Sequence, residues 1–255
     1  MNGRLLLSLF IAVLPISVEM SAPADSTRAP EADEAPLAAQ TSFRAAGSVG
    51  QFAIIHRGCN GEVLGETKSQ LHSGALEVQH RFASGVVIGA RGGQVVEDAG
   101  AGPAVPFGTV TPGMGKRTNA YANPYVGFDG PRAGVGVGWL RADHRFVVDE
   151  NETIKPDVTA HLRVGGAREQ FIVRFMEGMP LESEGALTAE VGGPVGSRTN
   201  LAAFMGLLGP YDGALLGLKG DVWLTPEAAL SIKLGLGGHG QYSAGAGAVV
   251  RFGGR

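Results

Sequence analysis

The sequence predicts an all-β fold: a closed, antiparallel, up-and-down transmembrane β-barrel of about 12 strands (10–12), its apolar face turned to lipid. Three observations lead there. The stretch "YSAGAGAVVRF", residues 242–252, sets Tyr242, Ala244, Ala246, Ala248, Val250 and Phe252 on one alternating row. The other row is Ser243, Gly245, Gly247, Val249 and Arg251, so a strand here has one apolar face with aromatic tips. Similar alternating segments recur along most of the chain. Their connections alternate between short and long through the first half, which would put tight turns on one rim and loops on the other.

The chain begins with an apparent export signal, residues 1–24. Arg4 precedes the apolar run "LLLSLFIAVLPISV", which is short for a membrane helix, and "APA" at 22–24 offers a small-residue cleavage site. Cleavage is expected after Ala24, because a cut after Ala22 would leave Pro23 just beyond it. Residues 25–45, "DSTRAPEADEAPLAAQTSFRA", are rich in alanine, proline and acid and lack any period. They predict a flexible leader, leaving 46–255 for the barrel. Cys59, the only cysteine, excludes an intrachain disulfide and reads as an inert thiol in a turn.

The strands follow in order. "GSVGQFAIIH" is a strand of uncertain parity. "ALEVQHRF" opposes Leu76, Val78, His80 and Phe82 to Glu77, Gln79 and Arg81. "GVVIGARGG" sets Val86, Ile88 and Ala90 against Gly89 and Arg91. "NAYANPYVGF" is weakened by Pro124, which suits an edge or a bulge. "GVGVGWL", "DVTAHLRVGG", "FIVRF" and "ALTAEVGG" place Val135, Leu162, Phe171 and Leu187 on apolar rows and Arg163, Arg174 and Glu190 opposite them. "NLAAFMGLL" is apolar on both sides. "LLGLKGDVWL" opposes Leu216 and Leu218 to Lys219 and Asp221, and "AALSIKLGLG" opposes Leu230, Ile232 and Leu234 to Lys233. "ASG", "DGPRAG" and "LTPEA" are tight turns, whereas 57–73, 97–117 and 143–156 are expected as longer loops.

Parity alone does not say which face meets lipid. A closed sheet of about twelve strands with its apolar face inward would enclose an empty greasy space, whereas a polar lumen can hold water. The polar rows are rich in glycine, which leaves room for long basic side chains inside a narrow lumen. A two-sheet soluble sandwich would bury the same rows but does not explain aromatics at both tips of one face. Tyr242 and Phe252 are therefore expected at the two lipid interfaces.

The export segment, the hairpins, the phrase "WLTPEAALSIKLGLG" and the aromatic-ended last strand resemble bacterial outer-membrane β-barrel proteins of the broad porin-like kind, over roughly residues 46–252. That resemblance implies a bacterial outer-membrane location and, as partners, the lipid bilayer, the envelope assembly machinery and small solutes. The assembly machinery of that family reads a terminal aromatic. Here Phe252 is followed by Gly253, Gly254 and Arg255, a departure from the pattern.

Motifs for other chemistry are thin. "GLGGHG" at 235–240 matches a dinucleotide fingerprint, but a strand follows where a helix is required, so a hairpin turn is expected. "GMGKRT" at 113–118 lacks the phosphate-loop spacing. His56, His72, His80, His144, His161 and His239 are scattered without a zinc pattern. Asp143 and His144 are adjacent and would face opposite sides, and the sequon at Asn151 is short enough to recur by chance. No catalytic residue, metal or cofactor is expected. A net charge of −3 gives no basic field for nucleic acid.

The polar rows nevertheless carry Arg81, Arg91, Arg163, Arg174, Lys219, Lys233 and Arg251 against Glu77, Glu190 and Asp221, an excess of about four positive charges. The expected function is a passive pore for small, anionic solutes. The alternative is a non-conducting surface-interaction protein whose plugged barrel presents its loops; a lipid-modifying enzyme ranks last.

Overall fold

The computed structural model describes residues 38–57, 60–100, 115–142, 146–149, 152–154, 158–166, 169–175, 187–207 and 213–253. The strands are β1 (Gln40–Arg57), β2 (Val63–Arg81), β3 (Val86–Ala99), β4 (Gly115–Asp129) and β5 (Ala133–Trp139). Three short ones follow, β6 (Arg141–Ala142), β7 (Phe146–Asp149) and β8 (Glu152–Ile154). The remainder are β9 (Val158–Gly165), β10 (Gln170–Phe175), β11 (Leu187–Pro194), β12 (Thr199–Leu207), β13 (Ala214–Trp223), β14 (Ala228–Gly237) and β15 (Tyr242–Gly253).

Strands β1–β5 and β9–β15 pair antiparallel with their neighbours, and β1 pairs with β15, so the sheet closes into a twelve-stranded barrel. Tyr125 pairs with Gly138 and Ala122 with Arg141, so β5 and β6 are one strand in a single register. The ladder breaks opposite Asn123 and Pro124, where proline has no N–H to donate. Pro124 is thus kept inside a barrel strand at the cost of a local interruption. The pair β7–β8 is a hairpin within the β5–β9 connection.

Register sets the dimensions. Paired residues lead from Gly253 through Gln40, Arg81, Val87, Gly127, Gly136, His161, Arg174, Thr188, Gly206 and Leu215 to Gly237. The amide of Gly237 then donates to the Gln241 carbonyl, so one circuit climbs from Gly253 to Gln241 on β15. A climb of about twelve residues over twelve strands corresponds to a tilt of about 35° and a backbone radius of about 11 Å.

Connections 82–85, 130–132, 166–169, 195–198 and 224–227 lie on the rim that holds both barrel ends, and every one is tight. In one, the Gly85 amide donates to the Phe82 carbonyl at 2.9 Å while Gly85 adopts φ 86°, which glycine reaches without strain. In another, Thr225 Oγ1 accepts from the amides of Glu227 and Ala228. Connections on the opposite rim are longer at 100–114, 143–157 and 176–186.

Two expectations are corrected. The stretch 57–73 is strand from Val63 on, and β1 and β2 run on as a hairpin past the last β1–β15 pair, Gln51 with Tyr242. Inward Thr67, Ser69 and Leu71 are buried there while outward Glu66, Lys68 and Gln70 are exposed. Polar residues on both faces concealed the alternation. Strand β1 also starts at Gln40, inside the stretch 25–45 expected as leader. Residues 1–37, Cys59, Asp143, His144 and Asn151 lie outside the described residues.

The outer face is apolar. Leu76, Ile88, Val126, Val137, Leu162, Val191, Leu216, Leu218, Ile232, Leu234 and Leu236 all stand exposed on it. Tyr242 and Phe252 occupy the two ends of the outward row of β15, as the sequence predicts, and the Phe252 ring meets Phe43 edge to face at 5.9 Å. At ~3.3 Å per residue and ~35° tilt, their ten-residue separation spans about 27 Å along the axis, close to the ≈ 25 Å apolar band of membrane barrels.

The interior has two parts. Phe52, Leu71, Val95, Tyr121, Leu140, Phe204 and Leu215 point inward and pack into one cluster, none more than 6% exposed. Along β1, β2, β3 and β13 these residues lie nearer the long-loop rim than Arg44, Glu77, Arg91 and Lys219 do. Phe204 fits because Gly217, its partner on β13, and Gly235 on β14 leave room for the ring. A Cβ on Gly217 would run into the Phe204 ring, and one on Gly235 would come within 3.1 Å of it.

Candidate functional site

The tight-turn half of the lumen is hollow and charged. One cavity of about 270 Å³ is lined by Arg44, Glu77, Arg91, Arg163, Arg174, Lys219 and Arg251 among others. A second, also about 270 Å³, adds Glu190, Asp221 and Lys233. A third, of about 290 Å³, sits at the rim between Arg81, Asp129 and Arg251. All ten charged residues predicted for the lumen line one of these spaces. Strand alternation puts them there, because each occupies the row opposite the lipid-facing leucines, valines and alanines.

Most of the charges are engaged with one another. Arg91 Nη2 donates to both carboxylate oxygens of Glu77 at 3.2 Å, and the Tyr125 hydroxyl donates to Glu77 Oε1 at 2.8 Å. Glu190 Oε2 receives Arg174 at 2.6 Å and Lys219 at 2.5 Å. Asp129 meets Arg163 at 2.8 Å and Arg81 at 3.5 Å. Arg163 also donates to the carbonyls of Gly165 and Gly130, which clamps two neighbouring turns. Ser231 donates to Asp221, and the Arg251 guanidinium lies 4.0 Å from the centroid of the Trp223 ring.

Three inward groups escaped the sequence reading. Arg44 alternates with Phe43 and Ala45, a pattern masked by assigning those residues to the leader. Asp129 sits at a strand end beside a turn. Glu97 is buried and accepts from Ser69 at 2.6 Å, in a region expected as loop. His161, which alternation already puts on the polar row with Arg163, faces Gly136 across the β5–β9 pair, where a Cβ on the glycine would strike the imidazole. Among described inward side chains, Arg44, Arg81, Arg91, Arg163, Arg174, Lys219, Lys233 and Arg251 face Glu77, Glu97, Asp129, Glu190 and Asp221. Eight bases against five acids leave a surplus of three positive charges.

The other motifs resolve simply. Residues 235–240 form the end of β14 and the Gly238–Gly240 turn into β15, with His239 at φ 55°, so the glycine pattern is a hairpin. Gly115–Thr118 are strand. His80 Nδ1 contacts Thr41 Oγ1 on the outer face at 2.9 Å, and His56 Nε2 contacts Thr67 Oγ1 at 2.7 Å. Among the described residues no group of three or more His, Cys, Asp or Glu side chains is placed to hold a metal.

A closed antiparallel barrel satisfies every ladder group internally and can therefore present an apolar exterior to lipid. With its aromatic-ended outer rows and polar-sided lumen, the architecture is that of a membrane-spanning β-barrel. No protein-family model and no curated protein sequence matches the chain. Among solved structures, it is similar to the translocator domain of the autotransporter NalP from Neisseria meningitidis, at 12% identity over 98% of this chain and 96% of that one, TM-score 0.44. An outer-membrane channel from Pseudomonas putida F1 is 12% identical over 91% of this chain and all of that one, TM-score 0.49. The CymD monoaromatic hydrocarbon channel is 8% identical over 83% and 88%, TM-score 0.42. The assignment to membrane barrels rests on register and surface, not on these distant likenesses.

Proposed function

We propose that the protein is an outer-membrane channel of a bacterium that favours small anionic solutes. The observation that carries this reading is the surplus of three positive charges among the described residues that face the lumen of a barrel whose outer wall is apolar. Charges lining a low-dielectric passage act on passing ions far more strongly than charges on an open surface. Tight turns on the rim of the barrel ends support an orientation with that rim, and hence the charged half, toward the periplasm.

The buried cluster of Phe52, Leu71, Val95, Tyr121, Leu140, Phe204 and Leu215 favours a second reading, a barrel that is closed at rest. Planar-bilayer recordings on refolded protein separate the two. Anion-directed reversal potentials under a salt gradient are expected for the wild type, and Lys233→Glu with Arg251→Glu should weaken or invert them. Cation selectivity would defeat the proposal, and complete absence of conductance would leave the closed barrel as the correct account.

A further inference from the structure

The internal ion pairs leave one part of the charged half with positive charge in excess. Arg44 on β1 pairs in register with Val249, and Arg251 lies two residues further along β15, so the two guanidinium groups are diagonal neighbours on one inward face. Arg81 contributes a third positive charge that Arg251 feels. Diagonal neighbours on adjacent strands are within reach of long side chains, so the two like charges repel across the lumen face. The nearest acids offset this only in part: Glu77 is shared between Arg91, Tyr125 and the field of Arg44, and Asp221, which accepts from Ser231, attracts Arg251 less than Arg44 repels it. Arg251 rests on the Trp223 face, which leaves the edge of its guanidinium to donate elsewhere.

Arg44, Ile172, Arg174, Lys219 and Arg251 each line both of the first two cavities, so the converging guanidinium groups stand where these two spaces meet. Ala46, Ala75 and Ile172 form an apolar side to the same space. Above it the apolar cluster begins, with Phe204 paired directly across the strand from Glu190. A ligand here meets cations on one side and hydrocarbon on the other.

We propose that this junction is a binding site for a small amphiphilic monocarboxylate. Guanidinium groups present planar forks of donors that match a carboxylate, and one carboxylate between Arg44 and Arg251 would convert their repulsion into two attractions. The apolar remainder then lies toward Ala46, Ala75 and Ile172. A second anionic group would face Glu77 or Glu190 across the cavity, which selects against dicarboxylates. The site rests on the same cationic lumen as the channel reading, but binding does not require conduction, so the two fail separately.

The test is isothermal titration of the full chain, refolded in detergent, with sodium benzoate, sodium acetate and the neutral benzamide. Benzoate should bind one to one and at least tenfold more tightly than acetate, with no heat from benzamide. Arg44→Gln with Arg251→Gln should weaken benzoate at least tenfold, whereas Arg141→Gln on the outer face should not. The double variant should also resist unfolding at least as well as the parent without ligand, because it removes a like-charge contact, and heat-dependent gel mobility checks its fold. Equal affinity for acetate and benzoate, binding of benzamide, no benzoate binding, or undiminished binding in the double variant would each overturn the site. Conductance without benzoate binding would overturn the site alone; benzoate binding without conductance would overturn only the channel.

Discussion

Replacing Ile232 by arginine tests which way the barrel wall faces. Ile232 is 57% exposed on the outer row of β14, between Gly220 of β13 and Ala246 of β15. Ala246 lies four residues from Tyr242 and six from Phe252, so the site is close to the middle of the aromatic-bounded band. Four residues at ~3.3 Å and ~35° tilt put the nearer aromatic level about 11 Å away, beyond the reach of an arginine side chain of roughly 7 Å. Snorkelling to that interface therefore falls short. The cost should approach the full midplane value of about 2–4 kcal/mol, a loss of roughly 30- to 1,000-fold in the folding equilibrium. One residue on, Lys233→Ala alters the lumen face and should cost about 1 kcal/mol or less, the range of a solvated ion contact. Reversible urea unfolding in phospholipid vesicles, followed by the fluorescence of Trp139 and Trp223, measures both. Equal losses at the two positions, or a loss below about 1 kcal/mol for Ile232→Arg, would mean that the outer row does not meet hydrocarbon.

Gly217→Ala should destabilise the barrel by about 1–3 kcal/mol in the same titration, because the new methyl runs into the Leu234 carbonyl as well as the Phe204 ring; a neutral result would show that both the β13–β14 pair and the ring can give way. Phe204→Ala thins the apolar cluster where it meets the charged half and should raise single-channel conductance; unchanged current would place the closure elsewhere. Glu190→Gln leaves Arg174 and Lys219 without their shared carboxylate and should increase anion preference in reversal-potential measurements, at a stability cost of up to about 3 kcal/mol. A shift toward cations would contradict that account of the lumen.

The barrel was largely legible because a half-lipid, half-lumen strand must alternate. Leu230, Ile232 and Leu234 against Ser231 and Lys233 announce both the strand and its two faces. Legibility failed where that contrast is missing. Val63–His72 projects beyond the aromatic level, its outward side chains meet water, and it reads as loop. Phe43 and Arg44 alternate, but an alanine- and acid-rich context disguised them. "NLAAFMGLL", apolar on both sides, held the one advance sign of the inner cluster: Phe204 points inward while Leu201 and Met205 point out. Which inward residues meet each other depends on register around the closed circuit, and no single strand reveals that. The diagonal placement of Arg44 and Arg251 joins the first strand to the last.

That circuit, which climbs about as many residues as there are strands, has a consequence for the lumen. When climb and strand number match, inward side chains from every second strand come level, as in smaller barrels of the same proportion. Glu77, Tyr125, His161, Glu190 and Lys219, from β2, β4, β9, β11 and β13, share one such storey. Half a step above it stand Arg91, Arg174, Phe204 and Lys233, from β3, β10, β12 and β14. Acids and bases are thus stacked as interlocking rings, and each hairpin supplies its own share of every ring. Removing two residues from one strand would keep its alternation and its lipid face intact. It would still drop that hairpin's charges out of step with all the others, so the passage would lose its chemistry before the wall lost its shape.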